Sequence, residues 1–272
     1  MLHLCAATVL AAALFSAGCS TTAKPELPQT TPDGRTAVYA AKTDHSVAND
    51  PKLKDKAWQN APVYHLTRPM EWKSYYSDLS QEEMAKYGDS VKTLEDATLQ
   101  LLYDDDNLYL GFKLEDHNIV ASGEKDQQAH FVLGDVVEVF IKPDFADYYW
   151  EIYSTPKEHK TAYEFTGRRK DAPGNDKLQL DFSVASAVDG SLNDLASIDN
   201  GWSTVVTLPF KSLAKYDGKF EGNADWTLLI GRYNYLDGNY AKEELSAFPQ
   251  ITAVDFHALP EYAAIIFLPE EK

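Results

Sequence analysis

The chain has 272 residues, a formal net charge of −17 and 44% hydrophobic residues. This length is enough to bury a hydrophobic core without disulfide bonds, and the negative charge repels nucleic acid and other polyanions. The seven histidines form no HxH or HxxxH pair, so the sequence does not indicate a zinc site.

The first 18 residues are predicted to be an export signal. Residues 4–18 are apolar or small, and they are too few to span a bilayer comfortably as a permanent helix. The stretch SAGC, which ends at Cys19, resembles a bacterial lipobox. That resemblance implies cleavage before Cys19, a lipid on its sulfur and, because Ser20 follows, location at the outer membrane. The segment before it lacks Lys and Arg, so an ordinary secretory signal and a secreted protein are the alternative.

The next segment is predicted to be a tether. Residues 19–43 are rich in Thr and Pro and contain few bulky apolar side chains, a composition typical of extended linkers. We therefore expect one folded domain over residues 44–268, without internal repeats.

The pattern within this domain predicts an all-β fold. Ser80 and Glu83 form a capping box that predicts a short helix ending at Gly88, and residues 209–213 predict a second helical turn. Eight short apolar or alternating runs indicate an antiparallel β-sandwich. These predicted strands are residues 98–103, 108–115, 135–142, 148–154, 178–188, 202–208, 226–235 and 263–268.

Three consecutive aspartates, residues 104–106, precede Asn107 between the first two predicted strands. Asp and Asn are the ordinary residues of a hairpin turn, and we predict a turn here. Clustered carboxylates also suit calcium, so a structural calcium ion is the alternative.

Two neighbouring predicted strands each contain one glutamate, Glu138 and Glu151, among bulky apolar residues. Side chains alternate between the two faces of a strand. If a turn at Pro143 pairs the two strands, Glu138 lies roughly opposite Glu151 on one face. The other side chains expected on that face are Val136, Phe140, Tyr149 and Tyr153.

Carboxylates among aromatic rings reduce stability unless they meet hydrogen-bond donors. Sugar hydroxyls are such donors, and aromatic rings suit the apolar faces of sugar rings. The pattern therefore favours a carbohydrate-binding face that includes Glu138, Glu151, Tyr149 and Tyr153. Arg232 is also expected at this site, close to Glu138. The alternative is that Arg232 simply pairs with Glu138 inside the fold.

Nine segments, in this order, resemble the family 9 carbohydrate-binding modules. The resemblance covers approximately residues 44–268. The matching segments are AW (57–58), LLYDDDNLYLGF (101–112), Asp116, DVVEVFIKP (135–143), DYYWEIY (147–153), GWSTVVTLPF (201–210), DW (225–226), GRYN (231–234) and DFHALPEYAAIIF (255–267).

This resemblance implies a jelly-roll-like sandwich whose ligand slot clamps a sugar chain between two tryptophans. Glu138 takes the place of the glutamate that hydrogen-bonds the sugar. Phe131 or Val132 stands where the first tryptophan is expected, and Phe248 stands where the second is expected. Glu151 takes the place of a sugar-contacting arginine.

The sequence therefore predicts a non-catalytic carbohydrate-binding protein, anchored to the membrane of the cell envelope by a lipid and needing no cofactor. One alternative is a glycoside hydrolase that uses Glu138 and Glu151 as its carboxylate pair. Another is a redox sandwich that holds haem through His257, Met70 or Met84, and a purely structural role in the envelope also remains open.

Overall fold

The computed structural model describes residues 27–170, 180–213, 226–236 and 243–269. The predicted signal peptide, Cys19 and the first part of the predicted tether lie outside these ranges. Within them, no helix is both long enough and apolar enough to cross a membrane.

The described residues form twelve strands and several short helices. The strands are β1 (Ala37–Lys42), β2 (Tyr64–His65), β3 (Ala97–Tyr103), β4 (Asn107–Leu114), β5 (Val136–Pro143), β6 (Tyr149–Ser154), β7 (Lys160–Phe165), β8 (Ser183–Asp189), β9 (Gly201–Pro209), β10 (Trp226–Asn234), β11 (Glu244–Phe248) and β12 (Ala263–Phe267). The α-helices are α1 (Trp72–Tyr75), α2 (Gln81–Tyr87) and α3 (Phe210–Leu213), and the 3-10 helices are Lys56–Asn60, His130–Val132 and Leu259–Glu261.

The prediction of a mostly β chain is confirmed. All eight predicted strands are present, although β8 begins at Ser183 and residues 178–179 lie outside the described ranges. The helix predicted from the capping box is α2, where Ser80 accepts from the Glu83 amide and the Glu83 carboxylate accepts from the Ser80 amide. Four strands were missed, β1, β2, β7 and β11, because they are short or lie in segments rich in polar residues.

The expectation of purely antiparallel pairing is wrong at β1. One hydrogen-bonded path runs β7-β6-β5-β10-β12-β1-β3-β4-β9-β8, with β11 paired to β10 and β2 paired to β3. Strand β1 is parallel to both β12 and β3, whereas the other pairs are antiparallel. These parallel neighbours are far from β1 along the chain, so local turn patterns could not reveal them. The jelly-roll topology stays a prediction.

The tether prediction for residues 19–43 is wrong where it overlaps β1. Residues Ala37 to Ala41 are buried, and Thr36 and Ala37 already bond the chain to β12 and Gln29. The short apolar run AVYAA gains sheet hydrogen bonds on both sides, which outweighs the polar composition around it. The folded unit therefore begins before residue 44.

One face of the sheet curls around the main core. Alternate residues from β1 to β12 meet there, including Leu110, Val139 and Ile230, all fully buried. The Ser154 and Thr204 hydroxyls lie 2.8 Å apart across this curl, and Ser186 donates to the Thr155 carbonyl. These contacts join the β6 side of the sheet to the β8–β9 side.

The opposite face of the sheet is covered by two separate segments. Residues 47–61, which include Trp58, cover β1, β3, β4 and β9. Residues 251–262, which include Phe256, cover β5, β6, β10 and β11 together with β7 side chains. Both faces of the central strands are therefore shielded from water.

We expect Gly111→Ala to lower the free energy of unfolding by about 1–3 kcal/mol, the usual effect of overpacking. A Cβ atom at Gly111 would lie 2.7 Å from both Leu53 and the Trp58 ring, so the covering segment would have to shift. Denaturant unfolding would measure the change. Gly167→Ala is the control, because its nearest neighbour is the flexible Lys170 side chain at 3.3 Å. Equal stability of both variants would contradict the close packing of Trp58.

Candidate functional site

The structure places Glu138 and Glu151 on the same face, as predicted. Their strand neighbours Phe140 and Tyr153 belong to the cluster beneath residues 251–262, whereas Val139 belongs to the main core. The register differs from the expected one by two residues, because Glu138 lies opposite Tyr153 and Glu151 lies opposite Phe140. The hairpin loop, not the alternation, sets this offset.

One tyrosine hydroxyl connects the two glutamates. The Tyr153 hydroxyl donates to the Glu151 carboxylate and also makes a hydrogen bond with Glu138. A hydroxyl carries one proton, so both bonds form together only when one of the two carboxyl groups is itself protonated. Glu138 is 2% exposed and Glu151 is 6% exposed.

Burial and mutual repulsion explain this protonation. Burial raises the pKa of Glu138 well above its ordinary value, and the charge of Glu151 raises it further. Burial also raises the pKa of Glu151 to about 7, although the Tyr153 hydrogen bond and Arg169 act in the opposite direction. Near neutral pH the pair therefore holds at least one proton.

Tyr163 completes the arrangement that we call the acid–tyrosine cluster: Glu138, Glu151, Tyr153 and Tyr163. Tyr163 lies opposite Glu151 on β7, and its ring meets the Tyr153 ring edge-on at 5.8 Å and 89°. Its hydroxyl is buried and has no hydrogen-bond partner among the described residues. A buried donor without a partner is costly, so this hydroxyl is available to a ligand.

The cluster is bordered on one side by aromatic rings. Phe131, half buried, lies 6.3 Å from the Tyr153 ring and 5.6 Å from the Tyr233 ring, measured between centroids. Phe131 thus lies beside the cluster, as its proposed clamp position implies, whereas its neighbour Val132 is 55% exposed.

A histidine and an arginine loop border the other side. The Tyr149 hydroxyl is 2.6 Å from Nδ1 of His257, and His257 Nε2 is 3.6 Å from a Glu151 oxygen. Burial lowers the pKa of His257 to about 4, and the charge of Arg169 acts in the same direction. His257 is therefore neutral near pH 7. When Tyr149 donates to Nδ1, the Nε2–H points its proton toward Glu151.

Arg168 and Arg169 are held by Asp255. Both guanidinium groups pair with this carboxylate, Arg169 at 2.9 Å. Burial would raise the pKa of Asp255, but the hydrogen bonds from Arg169 and Arg168 outweigh it and lower the pKa. Among the described residues, the charges of Arg168 and Arg169 on this side of Glu151 are therefore already paired with Asp255.

Two predicted site residues lie elsewhere. Phe248 lies opposite Ile230 on the inner face, and its ring is 4.8 Å from Tyr64. With Tyr39 and Tyr64 it lines a separate groove of about 340 Å³. The structure thus does not bring Phe248 to Glu138, because adjacent residues of β11 point to opposite faces.

Arg232 also lies on the inner face, and the suggested pair between Arg232 and Glu138 is wrong. Its guanidinium donates to the carbonyls of Glu95 at 3.2 Å and Glu115 at 2.5 Å, and it lies 3.8 Å from Asp116. Burial, and next the nearby Asp116 charge, raise the pKa of Asp135 well above its ordinary value. Arg232 therefore compensates a second group of buried carboxylates.

The aspartate run forms a turn, as predicted. Asp104 accepts from the amides of Asp106 and Asn107 and from the Tyr109 hydroxyl. Among the described residues, no group of three or more His, Cys, Asp or Glu side chains could hold a metal ion.

Three solved structures of carbohydrate-binding modules, or of proteins to which carbohydrate binding has been ascribed, have a similar fold. A protein from Bacteroides uniformis to which carbohydrate binding has been ascribed has a TM-score of 0.64 and 13% identity, covering 85% of this chain and 99% of that chain. A family 9 carbohydrate-binding module from Caldicellulosiruptor kristjanssonii, solved with cellotriose, has a TM-score of 0.53 and 12% identity over 87% of this chain and 95% of its own. The chain has a family 9-like fold.

A family 9 module from the same organism, solved with glucose, gives a TM-score of 0.54 and 12% identity over 87% of this chain and 97% of that chain. No protein-family model matches the chain, and no curated protein matches it. At these identities the likeness concerns the fold, so the family 9-like fold predicted from the motifs is confirmed and the site residues must be argued from their own geometry.

The sequence did not identify Tyr163 and Tyr233 as site residues, and it did not indicate that His257 lies beside Glu151. Tyr163 could have been found from KTAYEF, a short alternating run that resembles a strand. Tyr233 and His257 reach the cluster only through the pairing of β10 and the cover formed by residues 251–262.

Glu151→Gln is expected to stabilise the fold at about pH 8 and to have little effect at about pH 4.5. The folded-state pKa of Glu151 is raised from 4.5 to about 7, so the free energy of unfolding falls as the pH rises through that window. Glutamine never ionises, so it should recover roughly 1–3 kcal/mol at the higher pH, since one pKa unit is about 1.4 kcal/mol.

Denaturant unfolding at both pH values would measure this difference, with exposed Glu124→Gln as the control. Lower stability of Glu151→Gln at the higher pH would show that the carboxylate is compensated in the folded state.

Proposed function

We propose that this protein binds carbohydrate without catalysing a reaction, and that the acid–tyrosine cluster is the binding site. The observation that carries the proposal is the unpartnered Tyr163 hydroxyl beside two buried carboxyl groups, on a family 9-like fold. A buried hydroxyl without a partner carries a desolvation cost that a ligand can relieve.

The chemistry of the cluster suits a sugar. Sugar hydroxyls both donate and accept, so they can satisfy Tyr163 and the half-protonated pair Glu138 and Glu151. The aromatic edge formed by Phe131 and Tyr233 suits the apolar face of a sugar ring. Phe131 keeps part of its surface exposed beside the Tyr153 ring, so this aromatic ring is accessible to a ligand.

The glycoside hydrolase alternative has no observation in its favour. The similar solved structures include family 9 modules, which are described as binding modules. Hydrolysis by a retaining mechanism needs a reaction centre between its two carboxyl groups, whereas the Tyr153 hydroxyl occupies that position between Glu138 and Glu151.

The haem alternative also lacks support. Met70 is 55% exposed, and Met84 packs with Trp72 in a different apolar cluster from the surroundings of His257. The Nδ1 atom of His257 is already bonded to Tyr149.

We expect the full-length protein, kept in detergent, to bind at least one member of a panel of neutral and amino oligosaccharides in isothermal titration. Glu138→Gln should weaken binding by roughly 0.5–1.5 kcal/mol, the range for a hydrogen bond between uncharged groups, because burial keeps Glu138 protonated near neutral pH. Phe131→Ala should weaken it by about 1–3 kcal/mol, by analogy with aromatic stacking on bases.

The matched controls are Glu124→Gln and Phe145→Ala, because Glu124 is exposed and Phe145 is 58% exposed outside the cluster. If no oligosaccharide binds at about millimolar concentration, carbohydrate binding is refuted. If binding is intact in Phe131→Ala but lost in Phe248→Ala, the sugar occupies the groove beside Tyr64 instead.

We also propose that the protein is anchored to the cell envelope, at the outer membrane, through a lipid on Cys19. The support is the lipobox-like stretch before Cys19 and the Thr- and Pro-rich residues that follow it. Such an anchor would hold the binding domain at the surface where glycan fragments arrive.

Mass spectrometry of the mature N-terminus is expected to find Cys19 as the first residue with a diacylglyceryl mass on it. Cys19→Ser should abolish the modification and release the protein from the membrane fraction. An unmodified N-terminus, or cleavage at another position, would support plain secretion.

A further inference from the structure

The acid–tyrosine cluster contains two acids, and among the described residues no charged cation is in direct contact with either of them. Among the described residues, no Lys, Arg or His nitrogen lies within 4.0 Å of Glu138, and the nearest to Glu151 is Nε2 of His257 at 3.6 Å. His257 is neutral near pH 7 because burial, reinforced by Arg169, lowers its pKa to about 4. Arg169 itself is paired with Asp255 at 2.9 Å.

The cluster also offers several hydrogen-bonding groups on three neighbouring strands, β5, β6 and β7. Glu138 and Glu151 contribute carboxyl oxygens, and Tyr163 contributes a buried hydroxyl with no hydrogen-bond partner. The rings of Tyr153 and Tyr163 stand at 89° to each other, and Phe131 lies beyond Tyr153. An ammonium group has three donors and no acceptor, and it is attracted to aromatic faces and to carboxylates alike.

We propose that the ligand of this site is an amino sugar, whose free ammonium group is held by Glu138, Glu151 and the Tyr163 hydroxyl. The inference rests on the proposed carbohydrate-binding function and adds the class of sugar. A neutral sugar can bond the same atoms, but it leaves the pair without a positive charge when one of the two carboxyl groups ionises. An ammonium group supplies that charge, and the sugar ring behind it contacts the aromatic edge at Phe131.

A metal ion is a weaker candidate for the same charge. No group of three or more acidic, His or Cys side chains suited to a metal occurs in the part of the chain that the structure describes. An ammonium group donates hydrogen bonds to carboxyl oxygens and is attracted to aromatic faces, both of which this cluster offers. Calcium instead needs a shell of about six to eight oxygen ligands.

Three matched tetrasaccharides test the proposal on the full-length protein. The β-1,4-linked tetramer of glucosamine, its fully N-acetylated form and cellotetraose differ at carbon 2, which carries an ammonium, an acetamide or a hydroxyl group. Titration at about pH 6.5 is expected to show the glucosamine tetramer binding at least about tenfold more tightly than cellotetraose, with the acetylated form no tighter than cellotetraose.

The net charge of −17 attracts any polycation, so the titrations need a control for non-specific attraction. Titrations at about 0.15 M and 0.5 M salt provide this control, because salt screens exposed charges more than buried ones. Glu151→Gln should remove most of the advantage of the amine, whereas Glu124→Gln, which removes an exposed charge, should keep it. Tyr163→Phe removes only the hydroxyl and should reduce the advantage in part, and it serves as the second variant if Glu151→Gln does not fold.

The proposal is overturned if the glucosamine tetramer binds no more tightly than cellotetraose. It is equally overturned if the advantage of the amine survives in folded Glu151→Gln and Glu138→Gln, because the attraction would then come from the surface. Binding of neutral sugars without any preference for the amine leaves carbohydrate binding intact, whereas failure of all three tetramers and of the wider panel removes the function on which this inference rests.

Discussion

Side chains on a strand alternate between two faces, and in β5 and β6 both faces are buried. The curl of the sheet fills one face with the main core, and residues 251–262 cover the other. A polar side chain on either face is therefore shielded from water and needs hydrogen-bond partners in the protein or in a ligand. Burial raises the pKa values of both Glu138 and Glu151, and the charge of Glu151 raises that of Glu138 further, so a proton stays with the pair near neutral pH.

The two groups of buried carboxylates in this protein differ in one respect that bears on function. Asp116 and Asp135 lie near Arg232, which donates to the carbonyls of neighbouring chain segments and so fixes the loops at that end of the sheet. Glu138 and Glu151 have no such cation among the described residues. A group of acids with a cation beside it is typical of a structural role, whereas two acids without a cation in contact favour a ligand site.

The two phenylalanines that stand where the resemblance implied clamp tryptophans do not lie at the same place in this fold. Phe131 lies beside the cluster, but Phe248 lines a separate groove with Tyr64 on the other side of the sheet. The binding surface that we propose is a group of tyrosines and acids, whereas the sequence resemblance implied two facing aromatic rings. A shared fold fixes the position of a site more firmly than the chemistry of its ligand.

The sequence by itself determined the strands around Glu138 and Glu151, the face that both glutamates share and the capped helix α2, because alternation and capping act within a few residues. It could not determine the two-residue offset between the glutamates, the parallel pairing of β1, or the separation of Arg232 and Phe248 from Glu138. Those features depend on loop geometry and on contacts between distant segments. Only the tertiary structure decided that Tyr163 and His257 border the acids, because β7 and residues 251–262 come to one place only when the sheet has formed and been covered.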